Sequence, residues 1–184
     1  AFIAATLLDY ADGVDAVVDM GSGWGYNLFN LWLRGGPVVP YYALEFVEPG
    51  RLACDLIAKA VPGPDIVLAA FDFRAPVLPR LGVGHALIFS AHALDKVALV
   101  SDDLVEEIAG VADRVTVVHF ENIYDQLAGP LGLPVNETLR RRVVRQGMNT
   151  NFYGLLSAAA DAGRIRIDEL RPDVLDASSS LLRW

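Results

Sequence analysis

The feature that most constrains the fold is a glycine-punctuated turn placed directly after a short apolar segment. Residues 16–25 read Ala-Val-Val-Asp-Met-Gly-Ser-Gly-Trp-Gly, which predicts a buried strand over residues 16–19 and a helix that begins near Tyr26. Glycine admits positive φ, and its missing Cβ lets a ligand approach the backbone. The first turn of the following helix directs unpaired N–H groups at the same place. The turn therefore predicts a ligand site at the carboxyl edge of a parallel sheet.

Apolar segments and helical patterns alternate along most of the chain. The sequence predicts strands over residues 16–19, 41–45, 66–70, 86–89, 114–120, 164–170 and 179–184. It predicts helices over residues 1–10, 25–34, 49–60, 104–109, 137–146 and 152–162, with loops at 75–84 and 122–134. Strands that alternate with helices form a parallel sheet whose right-handed crossovers place helices on both faces. The expected fold class is therefore α/β.

Length and charge restrict the kinds of partner that the chain can have. Its 184 residues suit one domain, residues 1–184, with a sizeable core. The net charge of -8 and the pI near 4.7 weigh against a nucleic-acid partner, because phosphate binding needs a basic surface. No apolar run is long and uncharged enough to span a bilayer, so no membrane partner is expected.

The cysteine and the first residue give two further expectations. Cys54 is the single cysteine, which excludes an internal disulfide and fits a reducing compartment, so a cytoplasmic location is expected. Because Cys54 falls inside a predicted helix, we interpret it as a packing residue. The chain begins at Ala1, inside a predicted helix and without methionine, as a fragment lacking N-terminal residues would.

A carboxylate follows each of the first three predicted strands. Asp19 and Glu45 end the first two strands, and Asp72 comes just after the third. The carboxyl ends of parallel strands share one edge of the sheet, so these acids are expected near the glycine turn. Glu45 lies about twenty positions past Gly23, where a carboxylate can accept hydrogen bonds from the ribose hydroxyls of a bound nucleoside.

The pattern D-x-G-x-G-x-G from Asp19 to Gly25, together with Glu45 and Asp72, resembles the class I, Rossmann-like S-adenosylmethionine (SAM) methyltransferases. The resemblance covers roughly residues 14–120. It implies a three-layer Rossmann-like sandwich with a mostly parallel seven-stranded sheet whose last strand is antiparallel. The implied activity is methyl transfer, and the implied cofactor is SAM.

The resemblance also assigns residues to parts of the cofactor. At the methionine end it implies Asp19, Gly21, Ser22, Gly23 and Gly25, together with the backbone near Ser90. At the ribose it implies Glu45, and at the adenine it implies Asp72 and Phe73. In this assignment Asp72 accepts a hydrogen bond from the adenine amino group, and Phe73 lies against the ring. The alternative role for Asp72 is the cap of a helix or turn.

The segment that follows the fourth predicted strand indicates what kind of group accepts the methyl. It reads Phe-Ser-Ala-His-Ala-Leu-Asp over residues 89–95 and lacks the Asp/Asn-Pro-Pro-aromatic motif that many amino-group methyltransferases use on a target nitrogen. His92 is placed instead to act as a general base on a hydroxyl, because imidazole titrates near neutrality. The expected acceptor is a small molecule, such as a sugar, that carries a hydroxyl group. Alternatively, His92 only shapes the pocket.

Polar residues at the end of the fifth strand raise the question of a metal ion. His119, Glu121 and Asn122 lie at the same sheet edge, where His92 or Asp95 could complete a ligand set. No tight ligand spacing supports such a site, so no metal is predicted.

The segment 140–151 allows two interpretations. Its polar residues are Arg140, Arg141, Arg142, Arg145, Gln146, Asn149 and Asn151. They form either a solvated helix face followed by an N-cap or a substrate lip that binds phosphate, carboxylate or sugar hydroxyls. The first interpretation is the simpler one.

Three short motifs favour a sugar among the possible methyl acceptors. The motifs at 119–121, 149–151 and 178–184 are similar to those of a group of bacterial sugar O-methyltransferases.

Two other functions stay open. An NAD(P)-dependent oxidoreductase would account for the glycines and Glu45, but it leaves Asp72 unexplained, and no Tyr-x-x-x-Lys pair is present. A non-catalytic domain of the same fold would bind a nucleoside or a partner protein.

Overall fold

A mixed sheet runs through the centre of the protein. The computed structural model describes residues 2–174 and 179–184, so Ala1 and Ser178 lie outside the described residues. The strands of the described part are β1 (Ala16–Met20), β2 (Tyr41–Glu45), β3 (Ile66–Ala70), β4 (His85–Ala91), β5 (Arg114–Glu121), β6 (Glu169–Arg171) and β7 (Ser180–Arg183). Their order across the sheet is β3-β2-β1-β4-β5-β7-β6, which places β1 inside the sheet between β2 and β4.

The strand directions match the predicted sheet. Strands β1 to β5 pair in parallel, and β7 runs antiparallel to both of its neighbours, β5 and β6. The carboxyl ends of the parallel strands therefore meet at one edge. The prediction of a mostly parallel seven-stranded sheet with an antiparallel last strand is confirmed.

Helices cover both faces of the sheet and complete three layers. They are α1 (Phe2–Leu8), α2 (Tyr26–Leu33), α3 (Glu48–Ala60), α4 (Leu104–Ala109), α5 (Tyr124–Ala128), α6 (Glu137–Gln146) and α7 (Phe152–Asp161). Apolar side chains of α1, α2 and α3 pack on one face, and those of α4, α5 and α7 pack on the other. In the part of the chain that the structure describes, no helix has the length and apolar character to cross a membrane.

Strand β1 shows why the central strands read as continuous apolar runs. Val17 packs with the α1–α3 layer, whereas its neighbours Ala16 and Val18 pack with the opposite layer. Successive side chains of a strand point to opposite faces, so a strand covered on both sides is buried at every position. This double cover fixes β1 and with it the glycine turn that follows.

The structure corrects three of the predicted elements. Strand β4 extends two residues beyond its predicted end, to Ala91. Strand β6 is confined to Glu169–Arg171 instead of 164–170, because its four-residue partner β7 offers pairing only there. The short helix α5 lies in a segment that was predicted to be a loop, and the packing of its residues Tyr124 and Leu127 stabilises it.

Candidate functional site

The glycine turn forms a tight loop between β1 and α2, and its three glycines adopt positive φ. The φ angles are 80° at Gly21, 57° at Gly23 and 86° at Gly25. A Cβ on Gly21 would overlap the Cβ of Ala93, and one on Gly25 would lie 2.7 Å from the Sγ of Cys54. The positive φ angles thus favour glycine at all three positions. At Gly21 and Gly25 the lack of space for a Cβ is a second, independent reason for glycine.

A cavity of about 690 Å³ lies beside this loop at the carboxyl edge of the sheet. The segments that line it follow β1, β2, β3 and β4. The predicted site residues on its wall are Gly21, Glu45, Asp72, Phe73 and His92. Two side chains on the wall that the sequence did not single out are Phe46 and Arg74. The remaining predicted residues, Asp19, Ser22, Gly23, Gly25 and Ser90, are not among its lining residues.

Glu45 connects the end of β2 to the glycine loop. One carboxylate oxygen accepts a hydrogen bond from the Gly23 N–H at 2.8 Å, and the other accepts one from the Val47 N–H at 2.8 Å. An ionised carboxylate has about four acceptor positions, so both oxygens can accept a further bond from the cavity side. Glu45 is thus held rigidly where a pair of hydroxyl groups could reach it.

Asp72 lies on the cavity wall in an ion pair with Arg74. The guanidinium donates to both carboxylate oxygens, with Nη2 2.8 Å from Oδ2, and the Arg74 N–H also donates to Oδ1 at 2.9 Å. These bonds to Arg74 lower the pKa of Asp72. The guanidinium carbon of Arg74 lies 5.1 Å from the centre of the exposed Phe46 ring. Asp72 therefore does stabilise a turn, and it stays ionised beside the cavity.

Aromatic rings form the apolar part of the wall. Phe73 is buried and packs edge-on against Phe71, with ring centres 4.7 Å apart. A Cβ on Gly21 would lie 3.5 Å from the Phe73 ring, so this ring directly adjoins the glycine loop. Phe46 also lines the cavity, and more than half of its surface is exposed. Together these rings provide surfaces on which a flat base could stack.

His92 occupies a strained position immediately after β4. Its φ of 53° lies in the left-handed region, which residues with a side chain rarely adopt. Its N–H donates to the Phe120 carbonyl at 2.9 Å, and this bond holds the turn. Among the described residues, none makes a hydrogen bond to the half-buried imidazole. Such backbone strain is often retained where a side chain must point into a site.

Two buried polar side chains behind the loop have no partner among the described residues. Both carboxylate oxygens of Asp19 and the hydroxyl of Ser22 are buried without a hydrogen bond. The pKa of Asp19 is raised well above its usual value, mainly by burial and further by the negative charges of Glu45 and Glu121. An unpaired buried carboxylate is costly, and a cation that enters the site would compensate it.

Glu121 adds a third buried acid next to the loop that follows β4. It accepts hydrogen bonds from the Ser90 hydroxyl at 2.7 Å and from the Leu94 N–H at 3.1 Å. Burial is the main reason why its pKa rises to about 8, and the charge of Asp95 adds to it. The Lys96 ammonium, which lies 2.9 Å from the Asp95 carboxylate, is largely exposed. The interior of the site is therefore rich in carboxylates.

Ser90 does not reach the cavity. Because β4 extends to Ala91, Ser90 lies inside the strand and is fully buried, and the cavity wall on this segment begins at His92. Its hydroxyl is 2.9 Å from Nδ1 of His119, whose Nε2 accepts a hydrogen bond from Trp184. Across residues 2–174 and 179–184, no three or more His, Cys, Asp or Glu side chains are grouped to hold a metal ion.

The segment 140–151 matches its simpler interpretation. The four arginines of α6 are exposed to solvent. The Asn149 side chain accepts hydrogen bonds from the N–H groups of Asn151 and Phe152, at the start of α7. The Asn151 amide exchanges two hydrogen bonds with the backbone of Val100. Asn149 thus caps the start of α7, and Asn151 connects this start to Val100.

Comparisons with known proteins place this geometry in a familiar fold. No protein-family model and no curated protein sequence matches the chain. Solved structures do match it. A SAM-dependent methyltransferase from Aquifex aeolicus is 16% identical with a TM-score of 0.63, over 98% of this chain and 87% of that one.

Two further structures come from enzymes with different acceptors. The geranyl diphosphate C-methyltransferase of Streptomyces coelicolor A3(2), solved with Mg²⁺, geranyl diphosphate and S-adenosyl-L-homocysteine, is 13% identical with a TM-score of 0.68. It matches 98% of this chain and 76% of its own. The mitomycin 7-O-methyltransferase MmcR is 18% identical with a TM-score of 0.63, over 99% of this chain and 52% of its own. The chain therefore has the Rossmann-like fold of these methyltransferases, as predicted.

Proposed function

We propose that this chain is a SAM-dependent methyltransferase whose cofactor binds in the cavity beside the glycine loop. The observation that carries the proposal is the buried Asp19 carboxylate, which lacks any partner among the described residues. SAM bears a sulfonium and an ammonium group, and either cation would be attracted by the Glu45 carboxylate and would favour the ionised forms of the buried acids Asp19 and Glu121. A ligand of this charge therefore gains affinity from acids that destabilise the empty site.

The same charges count against a dinucleotide. The diphosphate of NAD(P) carries negative charge, and a Rossmann site normally places it at the glycine loop. In this chain the buried Asp19 lies behind that loop, and the Glu45 carboxylate already accepts the Gly23 N–H. Anionic phosphates would be repelled there, so the oxidoreductase is the weaker proposal.

The proposed binding mode follows the order of the strands. Gly21 and its loop neighbours would admit the methionine end close to the backbone, and Ser22 would add a hydroxyl behind it. Glu45 would accept the ribose hydroxyls with the acceptor positions that its two backbone bonds leave open. Asp72 would accept the adenine amino group, while Phe73 provides the apolar surface beside the ring.

The proposed acceptor is a hydroxyl group on a small molecule, with sugars first. Bound SAM would supply a methyl carbon made electrophilic by the sulfonium. His92 would take the proton of the acceptor hydroxyl, because its imidazole lies on the cavity wall without a competing hydrogen bond among the described residues. The aromatic wall would exclude water from this step. We further propose that residues 1–184 act as one domain and, on the single cysteine, in the cytoplasm.

Calorimetric titration tests the proposal. The purified chain is titrated separately with S-adenosylhomocysteine, NAD⁺ and NADP⁺. Micromolar binding of S-adenosylhomocysteine alone supports the proposed cofactor, and binding of a dinucleotide instead would overturn it. A labelled-methyl assay on a panel of sugars, phenols and carboxylates follows. A chain that binds the cofactor but methylates nothing in the panel would favour the non-catalytic domain.

A further inference from the structure

A directed chain of hydrogen bonds joins the last strand to the loop of His92. The Trp184 indole N–H can only donate, and it donates to Nε2 of His119 at 3.1 Å. A neutral imidazole whose Nε2 accepts must carry its proton on Nδ1, so Nδ1 donates to the Ser90 oxygen at 2.9 Å. The Ser90 hydroxyl then donates its own proton to Glu121 at 2.7 Å. Each bond fixes the direction of the next.

This chain of hydrogen bonds is shielded from water along its whole length. His119, Ser90 and Glu121 are fully buried, and Trp184 is nearly so. Burial lowers the pKa of His119 to about 3, which keeps the imidazole neutral at ordinary pH and preserves this direction. The Phe152 ring contacts the imidazole edge-on, with ring centres 4.7 Å apart, and the Trp184 ring lies at 28° to its plane. A network of this kind is strong only when every member is satisfied.

Its end point is the backbone of the loop that carries His92. Glu121 accepts the N–H groups of Ala93 at 3.3 Å and Leu94 at 3.1 Å. These residues directly follow His92, whose φ of 53° needs support from its surroundings. A Cβ on Gly21 would overlap the Cβ of Ala93, so this loop and the glycine loop are in contact.

We propose that Trp184, His119 and Ser90 are positioning residues, which act through Glu121 to hold the His92 loop against the glycine loop. The proposal rests on the proposed function, because it assigns to Trp184, just after β7, a part in positioning the site where base and cofactor meet. These polar side chains are not needed merely to fill the core, because apolar side chains fill a buried space at least as well. The polar chain instead orients one carboxylate at two particular N–H groups.

Two buried serines provide a matched test. Ser90→Ala removes the donor to Glu121, whereas Ser180→Ala removes a buried hydroxyl that has no partner among the described residues. Amide hydrogen exchange is measured at Leu94, with the central-strand amide of Val18 as an internal reference. Loss of the hydrogen bond from Ser90 to the buried Glu121 side chain should speed exchange at Leu94 about tenfold in Ser90→Ala. Ser180→Ala should leave Leu94 exchange unchanged.

A second pair of variants tests the direction of the chain. Nitrogen NMR of the wild type should show His119 with Nδ1 protonated and Nε2 unprotonated between pH 6 and pH 8. Trp184→Phe removes the donor that fixes this tautomer and should give a mixture of the two forms. Phe152→Leu changes a ring that contacts the same imidazole without a hydrogen bond, and it should preserve the wild-type tautomer.

The outcomes separate this proposal from the proposed function. Equal Leu94 exchange in the two serine variants, or a wild-type His119 protonated on Nε2, would overturn the positioning role. If the wild type binds no S-adenosylhomocysteine, the proposed function fails. Amide exchange at Leu94 and the His119 tautomer still decide whether the hydrogen-bond chain positions the His92 loop. If it binds, Ser90→Ala should weaken the affinity severalfold relative to Ser180→Ala, and equal affinities would contradict the link to the cofactor site.

Discussion

The Sγ of Cys54 lies 2.7 Å from the point where a Cβ on Gly25 would stand. The thiol fills the space under the glycine loop, as the packing role predicted for this cysteine requires, and burial raises its pKa to about 11. Gly25→Ala should therefore destabilise the protein by steric overlap as well as by its φ of 86°. We expect a loss of about 2–4 kcal/mol in the free energy of unfolding, measured with denaturant.

Gly23 provides the control for this prediction. It also has positive φ, but a Cβ there would meet nothing within 4 Å, so Gly23→Ala should cost only about 1–2 kcal/mol. Adding Cys54→Ala to Gly25→Ala should recover part of the loss, since it removes the overlapping atom. Equal costs at the two glycines would show that the thiol does not restrict this loop.

Removal of the Asp72 carboxylate should weaken cofactor binding more than stability. Asp72→Ala deletes the proposed acceptor of the adenine amino group and leaves Arg74 unpaired on the cavity wall. We expect the Kd for S-adenosylhomocysteine to rise about tenfold or more by calorimetry. Asp55→Ala is the matched control, because Asp55 is also in a short-range ion pair, with Lys59 at 2.7 Å, but lies on α3 away from the cavity wall. Similar affinities in both variants would remove Asp72 from the site.

His92 should separate catalysis from binding. His92→Ala should leave S-adenosylhomocysteine affinity near that of the wild type while lowering methyl transfer about 10²-fold or more, as expected for a lost general base. His92→Gly loses the same imidazole but relieves the left-handed φ of 53°, so it should be about 1 kcal/mol more stable than His92→Ala. If both variants lose cofactor affinity as strongly as activity, His92 is a binding residue instead.

Stability of the ligand-free chain should depend on pH in two opposite ways. The folded chain keeps a proton on Glu121 up to about pH 8, whereas the unfolded chain releases it near 4.5, so this group lowers stability as pH rises through that window. His119 has a folded pKa of about 3 against 6.5 unfolded, so it lowers stability as pH falls below 6.5. Above pH 6.5 the effect of His119 has ended, and that of Glu121 continues up to about pH 8.

Thermal unfolding across pH measures this balance. We expect Tm to fall between pH 6.5 and pH 8, because Glu121 lowers the free energy of unfolding by up to about 1.4 kcal/mol per pH unit in this range. Glu121→Gln cannot release a proton, so its Tm should fall less over the same range. A wild-type Tm that is constant or rises over this range would contradict the protonated state of Glu121.

The sequence predicts most of the fold because periodicity and glycine act locally. Strands β2 and β3 have the bounds predicted for them, since alternating faces and flanking turns are visible in a few residues. The end of β4 was misplaced because Ser90 resembles an edge residue, and its burial depends on partners in β5. Helix α5 was missed because its stability comes from tertiary packing more than from its own five residues.

The site was predictable only as far as its residues follow strand ends. Glu45, Asp72, Phe73 and His92 lie on one cavity wall, as the parallel sheet requires. The pairing of Arg74 with Asp72 and the chain from Trp184 to Glu121 are contacts of particular side chains, the second across distant parts of the sequence. One signal for that chain was present, because His119 and Glu121 interrupt the apolar pattern of a central strand.

Asp19 is a buried acid with no hydrogen-bond partner among the described residues, and we propose that it binds a cationic ligand behind the glycine loop. The most direct measurement is the calorimetric affinity of SAM for the wild type and for Asp19→Asn, with Asp15→Asn at the opposite end of β1 as control. We predict that Asp19→Asn is folded and no less stable than the wild type, yet binds SAM about tenfold or more weakly. Asp15→Asn should bind as the wild type does. Wild-type affinity in a folded Asp19→Asn variant would contradict the claim.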